Sequence, residues 1–245
     1  MINQAASKIL LVGDLHLFAR RSRGMTHWEV LPKMISESGA TCCVFIGDIF
    51  DFPWARQFEK DAAVTQAALM VEELVRLFPK VTFHYLFGNH DQDPAFETEL
   101  EEVRRQVPNL MNHNVSLQLG STLFLHGDAA DHREMNVETL LRRRRERAAG
   151  ARHGRLQESL YRVAVALRMD EAPSWLPFFP NLVHRRLIRF IEREGIEGIQ
   201  HVVYGHTHRK LEQNTDGVRF TNAGAPIGYR DYNHLTFSEL TTITG

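Results

Sequence analysis

Nine side chains able to bind a metal or move a proton gather at five points of the sequence: Asp14 with His16, Asp48, Asn89 with His90 and Asp91, His126, and His206 with His208. All are carboxylates, a carboxamide or imidazoles, and none is a thiolate. That donor set suits divalent manganese first, with iron, zinc or cobalt as alternatives, rather than a soft metal or a closed structural zinc site. Asp14/His16 and His206/His208 are each spaced by two residues, so in an extended chain both members of a pair point the same way and can grip one ion. Two divalent ions about 3.5–4 Å apart lower the pKa of a shared water and so supply a hydroxide nucleophile at neutral pH.

Each group stands at the end of an apolar run. Ile9 to Val12 and Gly13 lead into Asp14, Cys42 to Ile46 and Gly47 into Asp48, and Val81 to Phe87 and Gly88 into Asn89. Leu123 to Leu125 lead into His126, and His201 to Tyr204 and Gly205 into His206. Short β-branched and aromatic runs closed by glycine read as buried strands. In open α/β sheets ligands gather at the carboxyl ends of such strands. Singly, each motif has a bland explanation: Asp-Leu-His is common, and Asn and Asp favour plain turns. Five in the same strand-end context point to a dimetal centre. His84, inside the third run, reads as a packed or solvent-facing side chain.

Together, Asp14-x-His16, Gly47-Asp48, Gly88-Asn89-His90-Asp91, His126-Gly127 and Gly205-His206-x-His208 resemble the calcineurin-like metallophosphoesterases, with all five blocks present in order. The resemblance implies an α/β fold, a two-layered β-sandwich flanked by helices, with a dinuclear centre. It implies one ion on Asp14, His16 and His208, another on Asn89, His126 and His206, and Asp48 as the bridge. It does not make His90 a primary ligand. That imidazole is assigned to stabilising the transition state or protonating the leaving group, tasks suited to its titration range. Asp91 is expected to orient it. Asp128 reads equally as a supporting carboxylate or a turn residue.

The chain of 245 residues is long enough for one sizeable core, and a single domain over 1–245 is expected. A net charge of −1 argues against a chain-wide nucleic-acid field. The start lacks the basic-then-apolar pattern of a signal peptide, and no apolar run approaches spanning length. Cys42 and Cys43 are adjacent in a strand, so their side chains face opposite ways, as buried reduced thiols of a cytoplasmic protein. Helices are expected over His27 to Glu37, closed by Gly39, and Phe58 to Phe78, ended by Pro79. A third starts at Asp93-Pro94 and buries Phe96, Leu100 and Val103. A hairpin turns at Gly120, and the tail from Lys210 reads as a β-meander turning at Asp216-Gly217 and Asn233-His234.

The stretch 129–198 interrupts this plan as a helical insertion. Leu156, Leu160, Val163, Ala164 and Leu167 recur at helical spacing, as do Val183, Leu187, Phe190 and Ile191. Between them lies an apolar loop from Ser174 to Pro180, and before them Leu141 to Arg155 holds seven arginines against one glutamate. The bland reading is a helical hairpin with a solvated basic face. The favoured one is a lid beside the metals, with Arg142 and Arg143 meeting phosphates and Trp175, Phe178 and Phe179 meeting an acyl chain or the inner-membrane surface as a peripheral contact.

Such an insertion makes the chain similar to the UDP-2,3-diacylglucosamine diphosphatases of lipid A synthesis. Asp14-Leu15-His16-Leu17, Gly47-Asp48-Ile49-Phe50, His126-Gly127-Asp128 and Gly205-His206-Thr207-His208-Arg209 fit that branch, whereas His90 stands where it typically has Arg, and Thr221 to Pro226 differs from its usual stretch. The implied substrate is a phosphate ester or a nucleotide-lipid. A phosphoprotein phosphatase is disfavoured because the run after Gly47-Asp48 continues Asp51-Phe52-Pro53. A nuclease or cyclic-nucleotide phosphodiesterase would keep the same ligands, although the apolar loop fits nucleic acid poorly. A non-catalytic scaffold would be expected to have lost ligands, and none is missing.

Overall fold

Alternation of side chains along the strands decides the architecture. In β1 (Ala6–Val12) Leu10 and Val12 face one side and Ile9 and Leu11 the other, all fully buried. β2 (Cys42–Phe45) and β3 (Thr82–Leu86) repeat the pattern, with Cys43, Phe45, Phe83 and Tyr85 outward and Cys42, Val44 and Leu86 inward. Strands apolar on both faces must be covered on both. In the computed structural model, which describes residues 6–19, 22–55, 59–150, 179–226 and 237–243, the two covers are helices and a second sheet.

The first sheet runs β10-β1-β2-β3-β4, parallel from β1 to β4 (Leu110–His113), with β10 (Phe237–Ile243) antiparallel on the edge. Its outer face packs against α1 (Gly24–Ser38), α2 (Lys60–Leu77) and α3 (Pro94–Gln106). These helices follow their expected signals. Gly39 caps α1 in the left-handed region at φ 64°, and Val64, Ala68, Val71 and Val75 form the buried stripe of α2. Asp93 accepts from the amide of Ala95 at 2.9 Å to start α3.

The second sheet is ordered β5-β6-β7-β9-β8, from β5 (Ser116–Leu119), β6 (Thr122–Leu125), β7 (His201–Tyr204), β8 (Leu211–Thr215) and β9 (Val218–Asn222). Phe124 and Val203 point inward to meet Ile9, Leu11 and Val44, while Leu123, Leu125, Val202, Tyr204 and Phe220 point outward. α5 (Phe179–Arg193) covers that outer face with Val183, Leu187, Phe190 and Ile191, and α4 (Val137–Ala149) contributes Leu140. The order of layers is therefore helix, sheet, sheet, helix, the mixed α/β sandwich expected.

Three features differ from expectation or go beyond it. The tail is not one meander: β8 and β9 form a hairpin on the second sheet, turning at Asp216 and Gly217 with φ 51° and 84°, whereas β10 crosses to pair with β1. β4 adds an unexpected fourth parallel strand. Both described ends of 129–198 pack on the second sheet, with Phe179 part of that core. The helix expected around Leu156 to Leu167, the loop residues Trp175 and Phe178, and the turn at Asn233-His234 lie outside the described residues.

Candidate metal centre

The five strand ends converge on one edge of the sandwich. Beyond β1 and β2 the two loops continue to pair: His16 donates its amide to the Asp48 carbonyl at 2.9 Å, Leu17 to Ile49 at 2.8 Å, and Asp51 to Leu17 at 2.8 Å. Glycine precedes the ligands for want of room. A Cβ on Gly88 would stand 2.2 Å from Asp48 Oδ1, and one on Gly205 would stand 2.1 Å from Asp14 Oδ1. His16, Asp48, His206 and His208 all hold the left-handed backbone, at φ 47°, 51°, 66° and 55°. Such conformations cost on the order of 1–3 kcal/mol each and persist where the surroundings over-determine them.

Two sets of donors result, each with its ligand atoms within 4.8 Å of one another: Asp14, His16 and His208, and Asp48, His126 and His206. Asn89 Oδ1 joins the second, 3.1 Å from His126 Nε2. Asp48 lies between the sets, with its Oδ2 3.1 Å from His126 Nε2 and 3.8 Å from His16 Nε2. Burial alone would raise the Asp48 pKa, but the His126 and His90 imidazoles hold it well below the usual carboxylate range. The same contacts carry His126 up to about 10 against its own burial.

Several contacts fit cations. Asp14 Oδ1 is buried without a hydrogen-bond partner, and burial pushes this carboxyl up to about 6. His126 Nδ1 donates to the Ile46 carbonyl at 2.9 Å, which turns its Nε2 toward Asp48 and Asn89 oxygens. His16 Nδ1 donates to Asp51 Oδ2 at 3.1 Å, which leaves its Nε2 facing His208 Nε2 at 3.0 Å. Imidazole nitrogens and carboxylate oxygens brought this close can share protons in the free protein and offer the same atoms to a cation when one binds.

Asp91 occupies a different place from that expected. Asp51, not Asp91, orients the imidazole: His90 Nδ1 donates to Asp51 Oδ1 at 3.0 Å. Asp91 faces away because successive side chains in a turn diverge. Its carboxylate accepts from the amides of Gly88 (2.7 Å) and Ile49 (2.9 Å) and from the Tyr85 hydroxyl (2.7 Å), tying the β3 loop to the β2 loop. His90 also forms a triad with His16 and Asp48. Its Nδ1 is engaged by Asp51, however, and its Nε2 lies 3.4 Å from Arg147 Nη1, a cation that disfavours metal there. Burial would lower the His90 pKa, but Asp51 and Asp48 raise it to about 9.

Supporting groups missed by pattern are now visible. Arg144, fully buried within the arginine run, holds both oxygens of Asp128 at 2.7 and 2.6 Å, so Asp128 is a supporting carboxylate. Asn222 Nδ2 donates to the Gly205 carbonyl at 2.7 Å and to Thr207 Oγ1 at 3.1 Å, bracing the His206 loop. Asp131 Oδ1 accepts from His206 Nε2 at 2.8 Å. Arg142 and Arg143 are exposed, and Arg143 contacts His132. His84 is buried against His113, its Nδ1 3.0 Å from His113 Nε2.

Fold and strand-end blocks together define a phosphoesterase. The chain belongs to the calcineurin-like phosphoesterases, whose family profile matches residues 7–210. It is accordingly a metal-dependent hydrolase of phosphate esters. Among solved structures it is similar in fold to a dimetal phosphatase from Danio rerio, at 13% identity and TM-score 0.53, over 97% of this chain and 98% of that one. An archaeal phosphodiesterase matches at 13% identity and TM-score 0.42, over 96% and 99% of the two chains. A phosphopantetheinyl hydrolase from Mycobacterium tuberculosis matches at 14% identity and TM-score 0.45, over 97% and 96%. No curated protein matches the chain significantly.

Proposed function

We propose that the chain hydrolyses a phosphodiester or pyrophosphate bond at two divalent ions, one held by Asp14, His16 and His208 and the other by Asn89, His126 and His206, with Asp48 between them. The observation that carries this reading is the convergence of two donor sets around Asp48 beside the orphaned Asp14 oxygen. When bound, such ions activate a water and neutralise phosphate oxygens. The chain's own residues supply the rest. His126 presents Nε2 because the Ile46 carbonyl holds its other nitrogen, and His16 presents Nε2 because Asp51 holds its Nδ1. His90, anchored through Nδ1 on Asp51, offers Nε2 as the proton donor to the leaving oxygen. Asp91 fixes the loop that carries Asn89 and His90.

The oxygen and imidazole donors favour manganese, iron, zinc or cobalt. Within the class, an acylated sugar nucleotide is the substrate supported by the resemblance to the diacylglucosamine diphosphatases and by the apolar stretch from Ser174 to Pro180. In that reading Arg142 and Arg143 meet phosphates and Trp175 and Phe178 meet acyl chains at a peripheral membrane contact, whereas Phe179 serves the second core. Among the described residues no helix is long and apolar enough to cross a membrane. The test is turnover of the manganese-loaded protein on UDP-diacylglucosamine, bis-p-nitrophenyl phosphate, cyclic nucleotides and single-stranded DNA. Hydrolysis of the first above the others is expected. Preference for cyclic nucleotides or for single-stranded DNA would replace the lipid reading, and no hydrolysis of any would refute the phosphoesterase mechanism.

A further inference from the structure

The face of α4 that carries Leu140 also carries Arg144 and Arg147, four and seven residues on, the spacing of one helical stripe. Arg144 fixes the helix at its middle. It holds Asp128, and its Nη1 lies within hydrogen-bond distance of the Phe87 carbonyl (2.8 Å), the Asn114 carbonyl (2.8 Å) and Gln92 Oε1 (2.9 Å), its two N–H groups shared among the three oxygens. That guanidinium thereby clamps α4 to the loop after β3 and to the turn after β6, the segments that bear Asn89, His90 and His126. One turn further along, Arg147 projects over the site, with its Nη1 3.4 Å from His90 Nε2. His90 Nδ1 is engaged by Asp51, so Nε2 is the nitrogen that faces the cleft.

An oxygen hydrogen-bonded to that nitrogen would lie within reach of the Arg147 guanidinium. A guanidinium offers donors only, arranged to receive phosphate oxygens. Arg147 stands in the field of Asp131, whose carboxyl it helps to lower, but no described carboxylate lies within ion-pair distance of it. We propose that Arg147 is a specificity residue that receives an anionic group carried by the leaving half of the substrate. Substrates with a second phosphate next to the scissile bond are then preferred over diesters with an uncharged leaving half. This rests on the reading above that His90 serves the leaving oxygen.

The test compares kcat/KM of the manganese-loaded protein for a nucleoside-diphosphate sugar and for bis-p-nitrophenyl phosphate in wild type, Arg147→Gln, Arg147→Lys and Arg145→Gln. Arg145 is exposed elsewhere on α4, so its variant controls for the same change of net charge. Arg147→Gln is expected to lower the ratio of the two kcat/KM values by about tenfold, Arg147→Lys by less, and Arg145→Gln by no more than about twofold. An unchanged ratio in Arg147→Gln, or an equal fall in Arg145→Gln, overturns the proposal. A second arm reads binding alone, by calorimetry with imidodiphosphate and with inorganic phosphate. Arg147→Gln should weaken imidodiphosphate more than phosphate, and equal weakening or none overturns the proposal. This arm still reports on Arg147 if the wild type turns over neither substrate, an outcome that would count against the phosphoesterase mechanism.

Discussion

Arg144→Met removes a guanidinium that makes five hydrogen bonds from a fully buried position while keeping most of its aliphatic bulk. The largest consequence is electrostatic. Asp128, held down at about 2 against its burial by Arg144, is left as an uncompensated buried charge. Breaking a buried pair from one side costs about 3–5 kcal/mol. For a chain of this size that corresponds to a fall in Tm of roughly 6–20 °C. Thermal unfolding followed by circular dichroism in a chelator reads the change without a contribution from metal binding. The reciprocal variant, Asp128→Leu, should cost a similar amount by stranding the guanidinium. Arg144→Met with Asp128→Leu should then cost at least about 2 kcal/mol less than the two singles added, since apolar replacement of both partners leaves no buried charge. Single losses below about 1 kcal/mol that simply add would refute the clamp.

Asp48→Asn should lose both bound metal and activity, measured as metal per chain after purification with circular dichroism as the fold control; two ions and normal turnover would exclude Asp48 as the bridge. His90→Ala should retain metal while kcat falls by a factor on the order of 10²–10⁴. Asp51→Asn should move the alkaline limb of the kcat/KM profile to lower pH, because Asp51 is the foremost charge raising His90; an unmoved limb would dissociate the pair. His184, fully buried and stacked on Phe220, is lowered by burial to about 4. Its folded form resists protonation, so its contribution is present above the unfolded pKa of about 6.5 and is lost as pH falls toward 4, by up to about 3 kcal/mol. Urea unfolding between pH 7 and 4 should show a shallower loss in His184→Gln, and parallel curves would rule out this origin.

Four of the five strand ends were legible because three local rules coincide there: a buried β run, a glycine where a Cβ has no room, and a donor next to it; His126 follows Leu125 directly. Gly88 and Gly205 meet that steric demand against Asp48 and Asp14, residues far away in sequence. What local rules could not give is pairing across the chain. Sequence adjacency suggested Asp91 as the partner of His90, but the turn sends Asp91 into the interior, and the partner comes from the preceding strand's loop as Asp51. Arg144 was hidden among like neighbours, since a charge run does not declare which member is buried; its spacing of four from buried Leu140 was the available clue. β4 escaped because Asn109-Leu110-Met111-Asn112-His113 has one fully buried apolar side chain, and β10 because nothing local to a strand names its sheet.

The pairing of β10 with β1 and of His208 with His16 has a consequence for how the protein comes into being. These contacts span 192 residues between the histidines, and the β1 edge receives its partner from 237–243. At about 5–20 residues per second of synthesis, His16 emerges roughly 10–40 s before His208. During that interval the nascent chain carries an open strand edge, and the donors of the first site are incomplete. Contacts of such long sequence separation also form slowly after release. The newborn polypeptide is thus expected to need protection of that edge by chaperones, and to complete its first cation site only once His208 has emerged.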